Sequence, residues 1–196
     1  MGGEDWKDWM TALNEAGVLA ENTVTVAYSY IGPKLTYPMY HKGTLGAAKA
    51  HLLKTAQEMT KEFSYVSVNK ALVTQASAAI PVVPLYIALL YRIMEKKQIH
   101  ENAIEQIARM YQEKLFVDTP VLDQTGQIRM DDWELREDVQ SEIEAFWEKL
   151  YAHEITDFSY IDEYWVAFRQ LFGFDLPNID YSKDVNPNVA IPSIKD

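Results

Sequence analysis

Cysteine is absent from this sequence of 196 residues. The chain therefore has no disulfide bonds, no thiolate nucleophile and no cysteine-based zinc site. A protein without cysteine suits a reducing compartment, and we expect it to be cytoplasmic.

Positive charge is also scarce. Lysine and arginine number 18 against 29 aspartates and glutamates, which gives a net charge of −11. A surface that binds nucleic acid or inserts into an anionic membrane needs clustered cations, so we expect neither kind of partner. With 48% hydrophobic residues, the chain is long enough for one domain with a substantial core.

Two kinds of ligand motif are missing as well. The sequence contains no G-x-G-x-x-G or similar glycine-rich turn that would hold the pyrophosphate of a dinucleotide. It also lacks H-E-x-x-H and EF-hand patterns, and we expect no metal site. The acidic run from Asp131 to Glu134 is expected to open a helix instead, because carboxylates suit the positive end of the helix dipole.

The longest uncharged stretch covers residues 71–91. Pro81 and Pro84, together with polar residues near its start, argue against a membrane-spanning helix. We expect a loop followed by a buried helix from Leu85 to Lys97.

A strand, a turn and a helix are predicted in succession near the amino terminus. Residues Thr23 to Tyr30 alternate in the manner of a buried strand, which Gly32-Pro33 ends. Thr44 is a good N-cap for a helix that runs to about Lys61. Tyr40 therefore lies just ahead of that helix, at the kind of strand exit where sites are common.

Lys49 lies on the predicted buried face of this helix. At 100° per residue it falls about 40° from Leu45, whereas Lys54 falls on the opposite side. Its stem could snorkel to the rim of the core, or its ammonium could lower the pKa of a nearby tyrosine. The apolar stripe that it shares consists of Leu45, Ala48, Leu52, Ala56, Met59 and Phe63.

A second strand is predicted at Phe63 to Val68, and Leu72-Val73-Thr74 follows it. In α/β sheets, ligands gather at the carboxyl ends of strands, where a backbone amide and the Thr74 hydroxyl could meet a carboxamide. A plain strand exit is the alternative.

The other predicted elements are helical. Asp5 to Ala16 and Asp162 to Phe172 read as amphipathic helices, and Pro177 to Asp196 as a tail. A further helix is predicted from an apolar stripe formed by Ile104, Ile107, Ala108, Tyr111 and Leu115.

A family resemblance covers nearly the whole chain. The run YSYIGPKLTYPMYHKGTLGAAKAHL, followed by VSVNKALVTQASAAIPVVPLY, IRMDDWELREDVQ and LFGFD, resembles the NADH-dependent trans-2-enoyl-CoA reductases and the related V-type enoyl-acyl carrier protein reductases. Their active-site motif is Tyr-x8-Lys, and Tyr40 and Lys49 have that spacing.

The resemblance implies an α/β fold, namely the carboxy-terminal portion of a Rossmann-like parallel sheet with an extensive helical part. Members of the family are about twice as long and carry the nucleotide-phosphate loop in their other half. We therefore expect residues 1–196 to form the catalytic and substrate-binding portion, without the amino-terminal half that would be its partner.

The resemblance also implies the site residues. Tyr40 would donate a proton and stabilise an oxyanion, while Lys49 would hold the nicotinamide ribose of NADH and keep Tyr40 poised. The substrate would be an enoyl-CoA or enoyl-acyl carrier protein thioester, contacted by Tyr30. Leu72, Val73 and Thr74 would contact the nicotinamide. Independently of the resemblance, the apolar, proline-kinked stretch next to the second strand could be the wall for an acyl chain, with Ile80, Val83, Ile87 and Leu90 as candidates, or an ordinary core helix.

Other interpretations compete with this assignment. Tyr30 and Lys34 have the Tyr-x3-Lys spacing of short-chain dehydrogenases, but Gly32-Pro33 excludes the helix that this motif needs. Lys42, two residues after Tyr40, is expected to be an exposed loop cation. The competing function is a non-catalytic acyl-binding or interaction module that lacks the cofactor-binding half.

Overall fold

Three parallel strands form the sheet of this protein, in a computed structural model that describes residues 2–59, 63–188 and 190. The strands are β1 (Val24–Ser29), β2 (Phe63–Val68) and β3 (Gln127–Arg129), in the order β1-β2-β3. Val24 pairs with Phe63 and Ser29 with Val68, so β1 and β2 match along their whole length. Both strands predicted from alternation are confirmed, and the fold is α/β as expected.

Eight α-helices accompany the sheet in the described part of the chain. They are α1 (Glu4–Glu15), α2 (Tyr37–Tyr40), α3 (Gly43–Glu58), α4 (Gln75–Ala79), α5 (Val83–Lys96), α6 (Ala103–Arg109), α7 (Glu137–Tyr151) and α8 (Tyr160–Gln170). A 3₁₀ turn at Lys34–Thr36 precedes α2, and a π-helical segment at Met110–Leu115 continues α6. None of the described helices is long and apolar enough to cross a membrane.

Helix α3 connects β1 to β2, because parallel strands need a crossover. It begins at Gly43 and its N-terminus has no side-chain cap, so the prediction of Thr44 as N-cap was wrong. The predicted end at Lys61 lies outside the described residues. Ala56 and Met59 are buried as the stripe requires, whereas Leu45 and Phe63 are 42% and 48% exposed.

Strand β1 lies at an edge of the sheet. Among the described residues it pairs with β2 alone, its side chains are only partly buried, and Tyr28 is 49% exposed. The prediction of a buried strand was therefore wrong for β1. Alternation of residue types distinguishes the two faces of a strand, but it does not indicate whether a second neighbouring strand is present.

The main core forms around α5, which packs against α7 and α8. The predicted buried helix is confirmed, although it starts at Val83 and a short helix, α4, occupies the expected loop. The fully or almost fully buried side chains of this cluster include Tyr86, Ile87, Leu90, Met94, Val139, Ile143, Tyr160 and Tyr164.

The stripe predicted for α6 is buried only in part: Leu115 is buried, but Ala108 is exposed. Ile104 is 74% exposed, while Gln106 and Arg109 are buried. Arg109 donates to both carboxylate oxygens of Glu101, at 2.8 and 2.7 Å, and its guanidinium lies 4.0 Å from the centroid of the Trp133 ring. A paired, stacked arginine can replace an apolar residue in the buried face, which a hydrophobic pattern does not register.

The acidic run 131–134 forms a turn after β3, and α7 begins only at Glu137. The prediction that this run opens the helix was therefore wrong. Two of its carboxylates form salt bridges: Asp131 with Arg129 at 2.6 Å, and Asp132 with Lys114 at 3.0 Å. In the described residues no group of three or more histidines, aspartates and glutamates could hold a metal ion.

Candidate active site

A cavity of about 360 Å³ opens where β1 and β2 end. Its walls come from the chain after each strand, from α3 and from the start of α5. It brings together five of the six predicted site residues, namely Tyr30, Tyr40, Lys49, Leu72 and Thr74. Parallel strands place their carboxyl ends at one edge of the sheet. This is why the chain after β1 and the chain after β2, which are about 40 residues apart in the sequence, meet here.

A sharp turn brings Tyr40 into this cavity. Gly32 has φ +74°, Pro33 continues in an extended conformation, and the short helix α2 then ends at Tyr40. The Tyr40 ring is 9% exposed and packs edge-on against the Tyr30 ring, with centroids 4.8 Å apart and an interplanar angle of 87°. No described residue forms a hydrogen bond with the Tyr40 hydroxyl, which leaves it available to a ligand.

Lys49 reaches the same cavity from α3. Its Nζ donates to the Ser29 Oγ at 3.3 Å and lies 5.6 Å from the centroid of the Tyr40 ring. Burial lowers the pKa of Lys49. Lys34 and Lys42, the two competing lysines, are exposed, as predicted.

Tyr40 is a neutral phenol in this structure. Burial raises its pKa above 10.0, and the negative charge of Glu134 acts in the same direction. The idea that the lysine lowers the tyrosine pKa is therefore not seen here. A raised pKa keeps the proton on Tyr40 at neutral pH, which is the form that a proton donor needs.

The segment after β2 divides between two environments. Leu72 and Thr74 line the cavity, but the buried Val73 does not. The Val73 N–H donates to the Tyr91 hydroxyl at 3.1 Å. The Ser77 N–H donates to the Thr74 Oγ1 at 3.1 Å, and thereby Thr74 caps α4.

The expected acyl wall is present in part. Ile80, Val83 and Ile87 line the cavity, whereas Leu90 is fully buried in the core between α5 and its neighbours. The apolar side of the cavity therefore comes from the start of α5 and the residue after α4.

A second cavity, of about 780 Å³, lies on the other side of the segment 72–74. Tyr91, His100 and Tyr164 are among its lining residues. Burial lowers the pKa of His100 to about 4, and the nearby charge of Lys70 contributes. His100 is therefore neutral at physiological pH.

Sequence reasoning missed Glu134, which is fully buried behind the first cavity. Its Oε1 accepts hydrogen bonds from the hydroxyls of Tyr86 and Tyr30, at 2.6 and 2.9 Å. Its Oε2 accepts from the Ala71 N–H at 2.7 Å. Burial raises the pKa of Glu134 to about 7, although these hydrogen bonds oppose the rise.

Glu134 carried no local signal of this position. It is one of three acids within four residues, and the other two are paired to basic side chains. Glu134 differs from them in the folded protein because donors from the chain after β1, the chain after β2 and α5 converge on it.

Lys70 is a second buried charge beside the site, at 1% exposure. Its Nζ lies 4.5 Å from the centroid of the Tyr91 ring and donates to the Ala71 carbonyl at 3.4 Å. Burial lowers the pKa of Lys70 to about 8, and the charge of Glu134 opposes that shift.

The fold and the cavity define an α/β protein in which a neutral tyrosine and a lysine share a pocket at the carboxyl edge of a parallel sheet. Residues 1–116 match the family described as the trans-2-enoyl-CoA reductase catalytic region. The chain belongs to the trans-2-enoyl-CoA reductase family.

Curated relatives support this membership. The chain is 52% identical to an enoyl-[acyl-carrier-protein] reductase [NADH] of Cytophaga hutchinsonii, over 99% of this chain and 51% of the relative. It is 48% identical to a trans-2-enoyl-CoA reductase of Euglena gracilis, over 98% of this chain and 37% of the relative. The chain thus spans 51% and 37% of the length of these two relatives.

Solved structures agree with the fold. The trans-2-enoyl-CoA reductase of Clostridium acetobutulicum in complex with NAD matches 94% of this chain and 50% of its own, with a TM-score of 0.85 and 43% identity. The Treponema denticola enzyme in complex with NAD gives a TM-score of 0.84 and 45% identity, over 94% of this chain and 48% of its own.

Residues 122–185 match a second family, described as the enoyl reductase FAD binding domain. This segment contains only two glycines, Gly126 and Gly173, and no glycine-rich turn for a dinucleotide. Its helices α7 and α8 pack their apolar faces against α5. These residues do not fit an FAD site.

Proposed function

We propose that this chain supplies the proton donor and the substrate pocket of an NADH-dependent reductase of trans-2-enoyl thioesters. NADH, when bound, supplies the hydride that C3 of the substrate accepts. The single observation that carries the proposal is the Tyr40 hydroxyl, which is protonated, unpaired among the described residues and next to Lys49 in a cavity at the strand ends.

Tyr40 acts on the negative charge that develops when C3 becomes saturated. Hydride addition to a 2,3-unsaturated thioester leaves an enolate whose charge resides on the thioester oxygen. The Tyr40 hydroxyl donates a hydrogen bond to that oxygen and a proton to the reduced substrate. This interaction exists only as the charge forms, so it raises the turnover rate more than substrate affinity.

Lys49 holds the nicotinamide end of the cofactor. Its ammonium donates to a hydroxyl of Ser29 in this structure and can exchange that partner for a ribose hydroxyl. Burial lowers the pKa of Lys49 and so disfavours its charged form. A new hydrogen bond partner in the cavity stabilises that charged form. The positive charge of Lys49 then acts on the pKa of Tyr40 in the opposite direction to burial, which raises that pKa.

Leu72 and Thr74 form the wall that faces the nicotinamide in this proposal, and Val73 supports it from behind. The acyl chain lies against Ile80, Val83 and Ile87. The residues present fit the nicotinamide end of the cofactor only, because the sequence offers no glycine-rich turn for the pyrophosphate.

The active protein on this proposal includes an amino-terminal half that binds the nucleotide phosphates. Two observations support it: the chain spans only 51% and 37% of the length of the two relatives, and β1 has one neighbour among the described residues. The substrate is an enoyl thioester of CoA or of acyl carrier protein. Relatives named for each of these substrates match with similar identity.

The test compares tyrosine variants in the protein joined to its amino-terminal half. We expect Tyr40→Phe to lower kcat for crotonyl thioester reduction by about 10²-fold or more, with little change in the NADH dissociation constant. Tyr37→Phe is the matched control, because Tyr37 belongs to the same short helix but is exposed and lies outside the cavity. Equal kcat values for the two variants would contradict the assignment of Tyr40.

A non-catalytic acyl-binding or interaction module is the second candidate. The observation that favours it is the absent glycine-rich turn in a chain that retains the apolar pocket. Saturable binding of an enoyl thioester by this chain, with no NADH oxidation even in the presence of the amino-terminal half of a relative, would support this candidate.

A further inference from the structure

We propose that Glu134 is a positioning residue of the reductase, which holds Tyr30 against the proton donor Tyr40 and fixes the start of the segment that faces the nicotinamide. This inference rests on the proposed function for its kinetic consequence. Its structural content, a hydrogen bond from Tyr30 to a buried carboxylate, can be tested separately.

Hydrogen bonds to Glu134 come from three separate segments of the chain. Tyr30 follows β1, Ala71 follows β2 and Tyr86 lies within α5, and each donates one hydrogen bond to the carboxylate. Three donors on two oxygens require a group that accepts at both oxygens, which a carboxylate does and a carboxamide does not.

A neighbouring amide on α7 fixes the direction of one of these bonds. The Gln140 Nε2 donates to the Tyr86 hydroxyl oxygen at 3.3 Å and to the Glu134 carbonyl at 2.7 Å. The Tyr86 oxygen already accepts a hydrogen bond, so its own proton points to Glu134. The pattern of donors around the carboxylate is therefore set by the fold.

Glu134 cannot act on the substrate directly. It is fully buried and is not among the residues that line the cavity. Its influence passes through Tyr30, whose ring contacts the Tyr40 ring edge-on at 4.8 Å. A shift of the Tyr30 ring therefore moves the group that donates the proton.

The same hydrogen bond changes the role expected for Tyr30. The family resemblance implied that Tyr30 contacts the thioester end of the substrate. In this structure its only hydroxyl proton is donated to Glu134 at 2.9 Å, so it is not free for a thioester oxygen. Tyr30 on this inference supplies a ring to the cavity wall, and its hydroxyl is an anchor.

Gly32 shows how closely the Tyr30 hydroxyl is seated. A Cβ added at Gly32 would lie 2.7 Å from the Tyr30 Oη, and the residue has φ +74°. The hydroxyl thus lies between the backbone of the turn and the carboxylate.

Charged and titratable groups surround this anchor from several elements. The charge of Glu134 raises the pKa values of Lys70, Tyr40 and Tyr91. The charge of Asp131 in turn raises the pKa of Glu134. A change in the Glu134 charge would therefore affect the site beyond Tyr30. For this reason the test relies on coupling between two residues and not on a pH profile.

The experiment is a double-mutant cycle in the protein joined to its amino-terminal half, with Tyr30→Phe, Glu134→Gln and the double variant. Each single change should lower kcat about 10-fold while the KM for the thioester changes less than about 3-fold. The double variant should be no worse than the poorer single variant, because the Tyr30 hydroxyl acts through Glu134 on this inference and has no further effect once that carboxylate is replaced. Multiplied losses would show that the Tyr30 hydroxyl acts on the substrate by itself, and would overturn the inference.

Tyr160→Phe is the control, since Tyr160 is buried, its hydroxyl has no hydrogen bond partner in the described residues, and it lies outside this cavity. Its kcat should stay within about 2-fold of wild type. If Glu134→Gln does not fold, Glu134→Asp replaces it in the same cycle.

A second readout separates this inference from the proposed function. The same cycle measured by urea unfolding should show coupling between Tyr30 and Glu134, whether or not the protein turns over. If the wild-type protein reduces no enoyl thioester, the proposed function fails and the unfolding cycle alone decides whether the anchor exists. Additive losses of stability in that cycle would refute the anchor.

Discussion

Replacing Glu134 with glutamine should remove one pH-dependent contribution to stability. The pKa of Glu134 is raised from 4.5 to about 7 in the folded protein, mainly by burial. A raised carboxyl pKa means that the folded state binds the proton more tightly than the unfolded state. The resulting stabilisation is complete below pH 4.5 and is lost as the pH rises through 7.

The size of this contribution follows from the pKa difference. One pKa unit corresponds to about 1.4 kcal/mol, so the wild-type protein should lose about 3 kcal/mol relative to Glu134→Gln between pH 4.5 and pH 8. Most of that change falls between pH 5 and pH 7. The glutamine variant also loses acceptor capacity toward Tyr30, Tyr86 and Ala71, but this loss is a constant offset and does not change the slope.

Other groups near the site titrate in or near the same range, and both proteins contain them. His100 has its pKa lowered to about 4, so its contribution has the opposite sign and falls as the pH drops below 6.5. Lys70, with a pKa lowered to about 8, loses stabilisation as the pH falls from 10.5 toward 8. Subtracting one protein from the other cancels the contributions of groups whose pKa does not depend on Glu134. The pKa of Lys70 does depend on it, because the charge of Glu134 raises that pKa.

The measurement is the free energy of unfolding in urea, followed by tryptophan fluorescence, at half-unit steps from pH 5 to pH 8 for both proteins. Lys70→Met, with and without Glu134→Gln, is the control for coupling between the two buried charges. A difference between wild type and Glu134→Gln that stays constant over this range would refute the raised pKa, and with it the conclusion that burial outweighs the three hydrogen bonds to this carboxyl group.

Four further predictions concern the proposed function and the isolated chain. Tyr40→Phe should reduce turnover by about 10²-fold or more with NADH affinity nearly unchanged, as measured by steady-state kinetics and NADH fluorescence. Lys49→Met should lower both NADH affinity and turnover, and by more than Lys42→Met or Lys54→Met, because Lys49 alone among them lines the cavity; a larger effect of Lys42→Met would contradict the motif. The 196-residue chain alone should neither bind NADH at micromolar concentration nor oxidise it with a crotonyl thioester, since it lacks a glycine-rich phosphate turn. Saturable binding with turnover would reveal a phosphate site elsewhere in the chain. The same purified chain should self-associate through the open edge of β1, which size-exclusion chromatography over a range of concentrations can detect.

The sequence by itself determined the elements whose signals are local. Alternation over Val24–Ser29 and Phe63–Val68, the Gly32-Pro33 turn and the apolar character of α5 each extend over a few residues, and each was predicted close to its observed position. The Tyr-x8-Lys spacing was recognised through the family resemblance. Tyr40 and Lys49 meet because a short turn joins their helices, so their separation in the chain constrains their separation in space.

Tertiary structure alone decided the features that depend on distant partners. Strand β3 is three residues long and contains Gln127 and Arg129, so neither its length nor its residue pattern predicts a strand. The edge position of β1 depends on a neighbour that is not next to it in the chain. The hydrogen bonds of Glu134 join residues 104, 63 and 48 positions apart.

The physical reason is the distance along the chain over which the interactions behind each feature act. Helix and strand patterns follow from backbone geometry that repeats every few residues, so they are written in consecutive positions. The burial of a carboxylate depends on which donors surround it after the chain has folded, because the cost of removing its charge from water is offset only by hydrogen bonds that converge from separate elements. That is why the tyrosine and lysine could be recognised in the sequence, whereas Glu134, which anchors the ring beside them, could be recognised only in the folded chain.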